Sequence, residues 1–151
     1  MLDGNAWVGR ARWRGPKTRA ELLVFDRETT YGVLTPASGE RLIAPGQSEY
    51  KLFAVGAREW SHQVPLRIGA MVLAADTLFA AGTPDVIDEK DYWAALDGRK
   101  GAELWALSAA DGTKLHSLRL EAPPVFDGMA AARGRIYLST KDGRLLCLGK
   151  K

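Results

Sequence analysis

The side chains able to do chemistry in this sequence are few and scattered. Asp85, Asp88, Glu89 and Asp91 fall in one short stretch, and hard carboxylate oxygens at close spacing are the ligand set that calcium prefers. Their spacing departs from the D-x-[DN]-x-[DN]-G calcium loop, and Lys90 stands inside the group. A solvated acidic loop is therefore the expectation, with metal binding the weaker candidate. His62 and His116 are the 2 histidines, too few for a zinc site without cysteines to join them. General acid–base work by either requires a carboxylate partner in a cleft. The single cysteine, Cys147, lies in an apolar run, has no partner for a disulfide within the chain, and is expected to be a small buried hydrophobe. The sequence contains no G-x-S-x-G elbow, phosphate-binding glycine loop or dinucleotide fingerprint. No catalytic residue is assigned.

A different group of residues suits contact. Arg10, Arg12, Arg14, Lys17 and Arg19 stand against Asp3 alone in residues 1–20, a local charge of +4 in a chain whose net charge is +3. Trp7 and Trp13 are interleaved with them, and Trp93 sits in the longest interruption of the strand pattern. Aromatic and arginine side chains dominate interface energetics, so Trp7, Arg10, Arg12, Trp13, Arg14 and Trp93 form the candidate partner surface. A basic run of this kind is more often a solvated loop than a phosphate contact, and nucleic acid is not the expected partner.

What must position these residues is a unit that recurs three times. The copies run from Leu22 to Val33, from Met71 to Gly82 and from Met129 to Thr140, and each reads as a β-hairpin. An offset of 48 residues superposes Val24 on Val72 and Tyr31 on Phe79; a further 58 superposes Met71 on Met129 and Phe79 on Tyr137. An aromatic residue thus falls at one place in all three. The hairpins are expected near residues 22–34, 70–82 and 128–140. Each is followed by a short apolar outer strand, near 51–55, 103–108 and 144–148. A further strand is expected from Trp60 to Leu66, ending at Pro65 or on an edge there, and another from Lys114 to Leu120 after the Asp111-Gly112 turn. A short helix is expected around Lys90 to Leu96, and loops at residues 1–19 and 35–40.

A period of roughly 40 to 60 residues with about four short strands per repeat is the signature of a β-propeller. The fold expectation is all-β, with antiparallel propeller repeats amounting to roughly three blades, a partial propeller; residues 1–19 form an irregular basic and aromatic segment and residues 20–149 the blades. Propellers close with about 4 to 8 blades, so absent blades, a protein partner or self-association are expected to cover the open edges and faces. The 151 residues, 46% of them hydrophobic and 26% charged, are ordinary for a folded domain. The start of the chain has neither the basic nor the apolar segment of a signal peptide, and no apolar run approaches the ~18 residues of a membrane span.

The run from Ala106 to His116 is similar to the blade motif A-x-D-x-x-T-G-x-x-x-W of the PQQ-like (quinoprotein-type) β-propellers. Ala106 and Gly112 match; Ser108 stands at the Asp position, Asp111 at the Thr position, and His116 at the Trp that docks between adjacent blades. Ala54 to Trp60 resembles a contracted version, with Trp60 as the docking aromatic, and Asp142 to Leu148 resembles a blade end. Residues 123–140 look like the C-terminal blades of large bacterial PQQ-like propeller proteins. This resemblance implies a non-catalytic binding or scaffold module within a larger propeller, with Trp60 and His116 as structural docking residues and no cofactor. The alternative it implies is a blade portion of a PQQ-dependent quinoprotein dehydrogenase, with PQQ and calcium bound by residues outside this chain; the adjacent-cysteine disulfide of such enzymes is impossible with one cysteine. A periplasmic or exported location is implied by the resemblance alone.

Overall fold

The computed structural model describes residues 20–34, 50–95 and 97–149. They form three antiparallel sheets of four, four and three strands, with no helix among them. The first sheet runs β1 (Leu22–Phe25), β2 (Thr29–Leu34), β3 (Lys51–Gly56) and β4 (Trp60–Gln63). The second runs β5 (Leu66–Ala74), β6 (Thr77–Pro84), β7 (Ala102–Ser108) and β8 (Lys114–Leu120). The third holds β9 (Pro124–Ala132), β10 (Arg135–Thr140) and β11 (Leu145–Gly149). Strands adjacent in sequence are adjacent in each sheet, a meander.

Turn chemistry sets the hairpins. The Asp26 carboxylate accepts hydrogen bonds from the Glu28 and Thr29 amides at 2.8 and 2.7 Å, closing the β1–β2 turn as an Asx turn. The β9–β10 turn takes positive φ at both central residues, Arg133 (50°) and Gly134 (72°), the geometry whose twist suits a two-residue hairpin. Gly82 has a packing reason to be glycine. It lies opposite Ile68, where the β5–β6 register shifts, and a Cβ there would sit 2.1 Å from the Arg67 carbonyl oxygen.

The registers bear directly on the repeat. Val24 pairs with Tyr31, Val72 with Phe79 and Ala130 with Tyr137, the positions related by offsets of 48 and 58. The rows continue through Tyr31–Ala54–Trp60, through Phe79–Ala106–His116, and through Tyr137–Cys147. Cross-strand partners point to the same face, so each row marks one face of its sheet. Tyr31, Val33, Leu52 and Ala54 of the first sheet pack on Met71, Leu78, Ala80, Trp105 and Leu107 of the second. The opposite face of the second sheet, with Ala70, Phe79, Ala81 and Leu104, packs on Met129, Ile136 and Leu138 of the third. Alternation along each strand thus feeds two cores, because the middle sheet is covered on both sides. Leu78 is fully buried, and burying a leucine side chain contributes about 1.5–3 kcal/mol.

Three expectations change. Residues 89–95 form successive turns rather than a helix; the amides of Ala94 and Asp97 bond the carbonyls of Asp91 and Trp93 without a continuing ladder. The strand expected from Trp60 to Leu66, read from the sequence as the opening strand of the next blade, is divided, and Trp60 does not open the second sheet. It begins β4, the outer strand of the first, and the next strand starts only at Leu66, after Pro65, which has no amide hydrogen to give a ladder. Cys147 is exposed, because its row faces away from the second sheet and no other sheet among the described residues packs there.

Candidate functional site

The most built contact among the described residues is the docking of β4 on the second sheet. The Trp60 indole Nε1–H donates to the Ala109 carbonyl at 3.1 Å. Its ring lies against Gly112, where a Cβ would come within 2.7 Å of the indole Cε3. Asp111-Gly112 makes the β7–β8 turn, Gly112 taking a φ of 75°. Its lack of a side chain therefore serves both the turn and the indole. The His62 ring stacks on Trp60 with centroids 5.5 Å apart, and its Nε2 lies 2.8 Å from the Asp111 carbonyl. A carbonyl only accepts, so that nitrogen carries the proton. Tyr31, fully buried, packs tilted against the indole with ring centroids 6.0 Å apart.

Beside this dock the Arg58 guanidinium joins the two sheets. It donates to the Tyr31 hydroxyl at 2.7 Å and stands 3.5 Å from the Asp26 carboxylate and 3.6 Å from that of Asp76 on the β5–β6 turn. The Tyr31 hydrogen bond, followed by the two carboxylates, raises the Arg58 pKa above its ordinary value. The Glu28 and Thr29 amides, with Arg58 adding to them, hold Asp26 below the usual carboxylate range. Each group here is paired with its complement, an arrangement for holding surfaces together.

The second row ends differently. His116 occupies the register position of Trp60 but is exposed, so the expected packing of this histidine between sheets is corrected among the described residues. The indole of Trp60 reaches a turn beyond β7 of the sheet it meets, and no such turn follows β11 among the described residues. Lys114, nearby, lies over the Trp105 ring at 4.4 Å. On the third row the Arg135 guanidinium makes a 3.8 Å contact with the Cys147 sulfur.

The acidic stretch is resolved into ion pairs. Asp85, its side chain fully buried, meets Arg67 at 3.0 Å. Asp88 pairs with Lys100 and accepts from the Lys90 amide at 3.0 Å; both lower its pKa, Lys100 more. Asp91 receives a two-pronged contact from Arg99 at 2.9 and 2.6 Å, and Glu89 is exposed on a turn. No group of three or more His, Cys, Asp or Glu placed to hold a metal occurs among the described residues. Trp93 is 53% exposed and meets Tyr92 edge-on at 5.3 Å. Trp7, Arg10, Arg12, Trp13 and Arg14 lie outside the described residues.

Sequence reasoning missed a groove of about 630 Å³ between the second and third sheets. The β5–β6 turn, Phe79 and Leu104 form one wall; the β9–β10 turn, Ile136 and Leu148 form the other. Its signal in the sequence is a change of residue type at aligned positions of the repeat.

No family model matches the chain, and no curated protein matches it. Among solved structures the computationally designed Ika4 protein is similar over 90% of this chain and 69% of its own, with a TM-score of 0.52 and 13% sequence identity. At that identity the likeness is one of fold. It accords with a succession of antiparallel sheets and carries no function.

Proposed function

We propose that this chain is a non-catalytic binding or scaffold module of β-propeller type, with PQQ-like blades, belonging to a larger propeller that docks a further sheet on its third one. The observation that carries this reading is the repeated row. The first two rows lie between sheets, whereas the third, Ala130–Tyr137–Cys147, has no covering sheet among the described residues. Ala130 and Cys147 are exposed and Tyr137 is half-buried, and β11 is bonded on one side only. An apolar face beside an open strand edge is a template for another sheet. The paired charges and the docked indole supply contact chemistry in place of a poised acid, base or nucleophile. No helix among the described residues is long and apolar enough to cross a membrane.

In the isolated chain the available occupant of that face is a second copy. The test is the alkylation rate of Cys147 against protein concentration. The thiol reacts freely in dilute solution and becomes protected as copies associate over its row. A rate independent of concentration, in folded protein, overturns the proposal.

A further inference from the structure

We propose that the groove between the second and third sheets binds a small, flat, apolar acid, an aryl carboxylate in chemical class. The same slot occurs twice among the described residues. Between the first and second sheets it is lined by Asp26, the Tyr31 hydroxyl and Asp76, and the Arg58 guanidinium fills it. Carried along the repeat by the offsets that superpose the hairpins, those three positions become Ala74, Phe79 and Gly134. All three line the open groove. Every acceptor that holds the arginine has been replaced by a residue with no side-chain acceptor. Lys114, the cation near the corresponding turn, is drawn aside over Trp105. The second slot is thus unsuited to a cation and open to an apolar body.

Size and charge narrow the ligand. A volume of about 630 Å³ falls within the ~300–1,000 Å³ of small-molecule sites. Facing sheets pack about 10 Å apart, so the space between them is a slot that favours a planar group, and the Phe79 ring lines it. Arg133 stands on its rim and makes no ion pair among the described residues, and no acidic residue lines the groove; the Arg135 guanidinium turns to the opposite face, where it meets Cys147. A guanidinium fork matches a carboxylate with two parallel hydrogen bonds. An aryl ring in the slot with its carboxylate at the rim satisfies both features.

The inference rests on the aligned slots and not on the docking of a further sheet, which concerns the opposite face of the third sheet. Calorimetric titration of the full 151-residue chain with 2-naphthoate and with the neutral 2-naphthalenemethanol tests it. The acid is expected to bind saturably, one per chain, at least about tenfold more tightly than the alcohol. The variant Arg133→Gln, at an exposed turn position, is expected to remove that discrimination while retaining the alcohol's affinity, and Arg135→Gln, on the opposite face, is expected to leave it in place. Ala131→Trp, whose side chain lies on the groove-facing side of the third sheet, is expected to weaken both ligands. Circular dichroism confirms that each variant is folded, and if Ala131→Trp is not, Arg133→Gln decides. Absence of saturable naphthoate binding below about 1 mM, or equal binding by Arg133→Gln, overturns the proposal. Binding of polyglutamate in place of naphthoate also overturns it, because the arginine then serves an acidic polypeptide.

Discussion

Replacing Trp60 by alanine separates the dock from the surrounding packing, and its cost follows from the contacts. The indole hydrogen bond to Ala109 is worth about 1 kcal/mol net. The ring contacts with Tyr31 and His62 add about 1 kcal/mol. The side chain is half-buried, so its apolar area contributes about 1 kcal/mol, roughly half the value for full burial. Trp60→Ala is therefore expected to destabilise the chain by roughly 3 kcal/mol, lowering Tm by about 6–12 °C for a domain of this size. Trp60→Phe keeps a ring and leaves the Ala109 carbonyl without its donor, costing about 1–2 kcal/mol. His116 holds the same register position in the second sheet but is exposed, so His116→Ala is expected to stay within about 0.5 kcal/mol of the parent. Urea unfolding followed by far-ultraviolet circular dichroism measures all three. Equal losses for Trp60→Ala and His116→Ala would refute the reasoning, since register position alone would then matter and the docked turn would not.

Asp26 is depressed below its unfolded pKa of about 3.9, so its stabilisation is fully present above that value and is lost as pH falls through the lower folded value. Urea midpoints measured downward from about pH 6 should decline below about pH 4, and Asp26→Asn should flatten that decline; an unchanged slope contradicts the assignment. Asp85→Ala leaves Arg67, 16% exposed, without the carboxylate at 3.0 Å, and is expected to cost about 3 kcal/mol in the same assay, whereas calcium added to the parent should leave the midpoint in place. Gly82→Ala drives a Cβ into the Arg67 backbone and is expected to cost about 1–3 kcal/mol. Gly143→Asn enters open space at a φ of 84°, which asparagine tolerates, and is expected to stay within about 0.5 kcal/mol; similar losses for the two glycines would contradict the packing account.

The repeat was legible in the sequence because strand pairing is local here. Hairpin spacing, the recurring aromatic and the Asp111-Gly112 turn are all written within a few tens of residues. The offsets of 48 and 58 accordingly coincide with cross-strand pairs in all three sheets. Trp60 was legible for the same reason, as the aromatic following a short apolar strand. What escaped depends on which sheet faces which. Cys147 reads as core from its apolar neighbours, but alternation puts it on the uncovered side of β11. His116 reads as a docking residue from its place in the motif, yet docking also needs a receiving turn on the next sheet. The acidic stretch reads as one cluster in sequence. In space its carboxylates are divided among Arg67, Arg99 and Lys100, partners as many as 18 residues away. The groove was hidden because it arises from the loss of three acceptors at aligned positions that lie on two different sheets.

The central claim is that the outer face of the third sheet is a docking surface for another sheet. Light scattering of the purified chain over a range of concentrations, beside the variant Tyr137→Glu, tests it most directly. The account predicts that the parent mass rises with concentration toward a discrete assembly and that Tyr137→Glu, carrying a charge on the exposed row, stays monomeric while folded. A parent that remains monomeric throughout, or a variant that associates equally well, would contradict it.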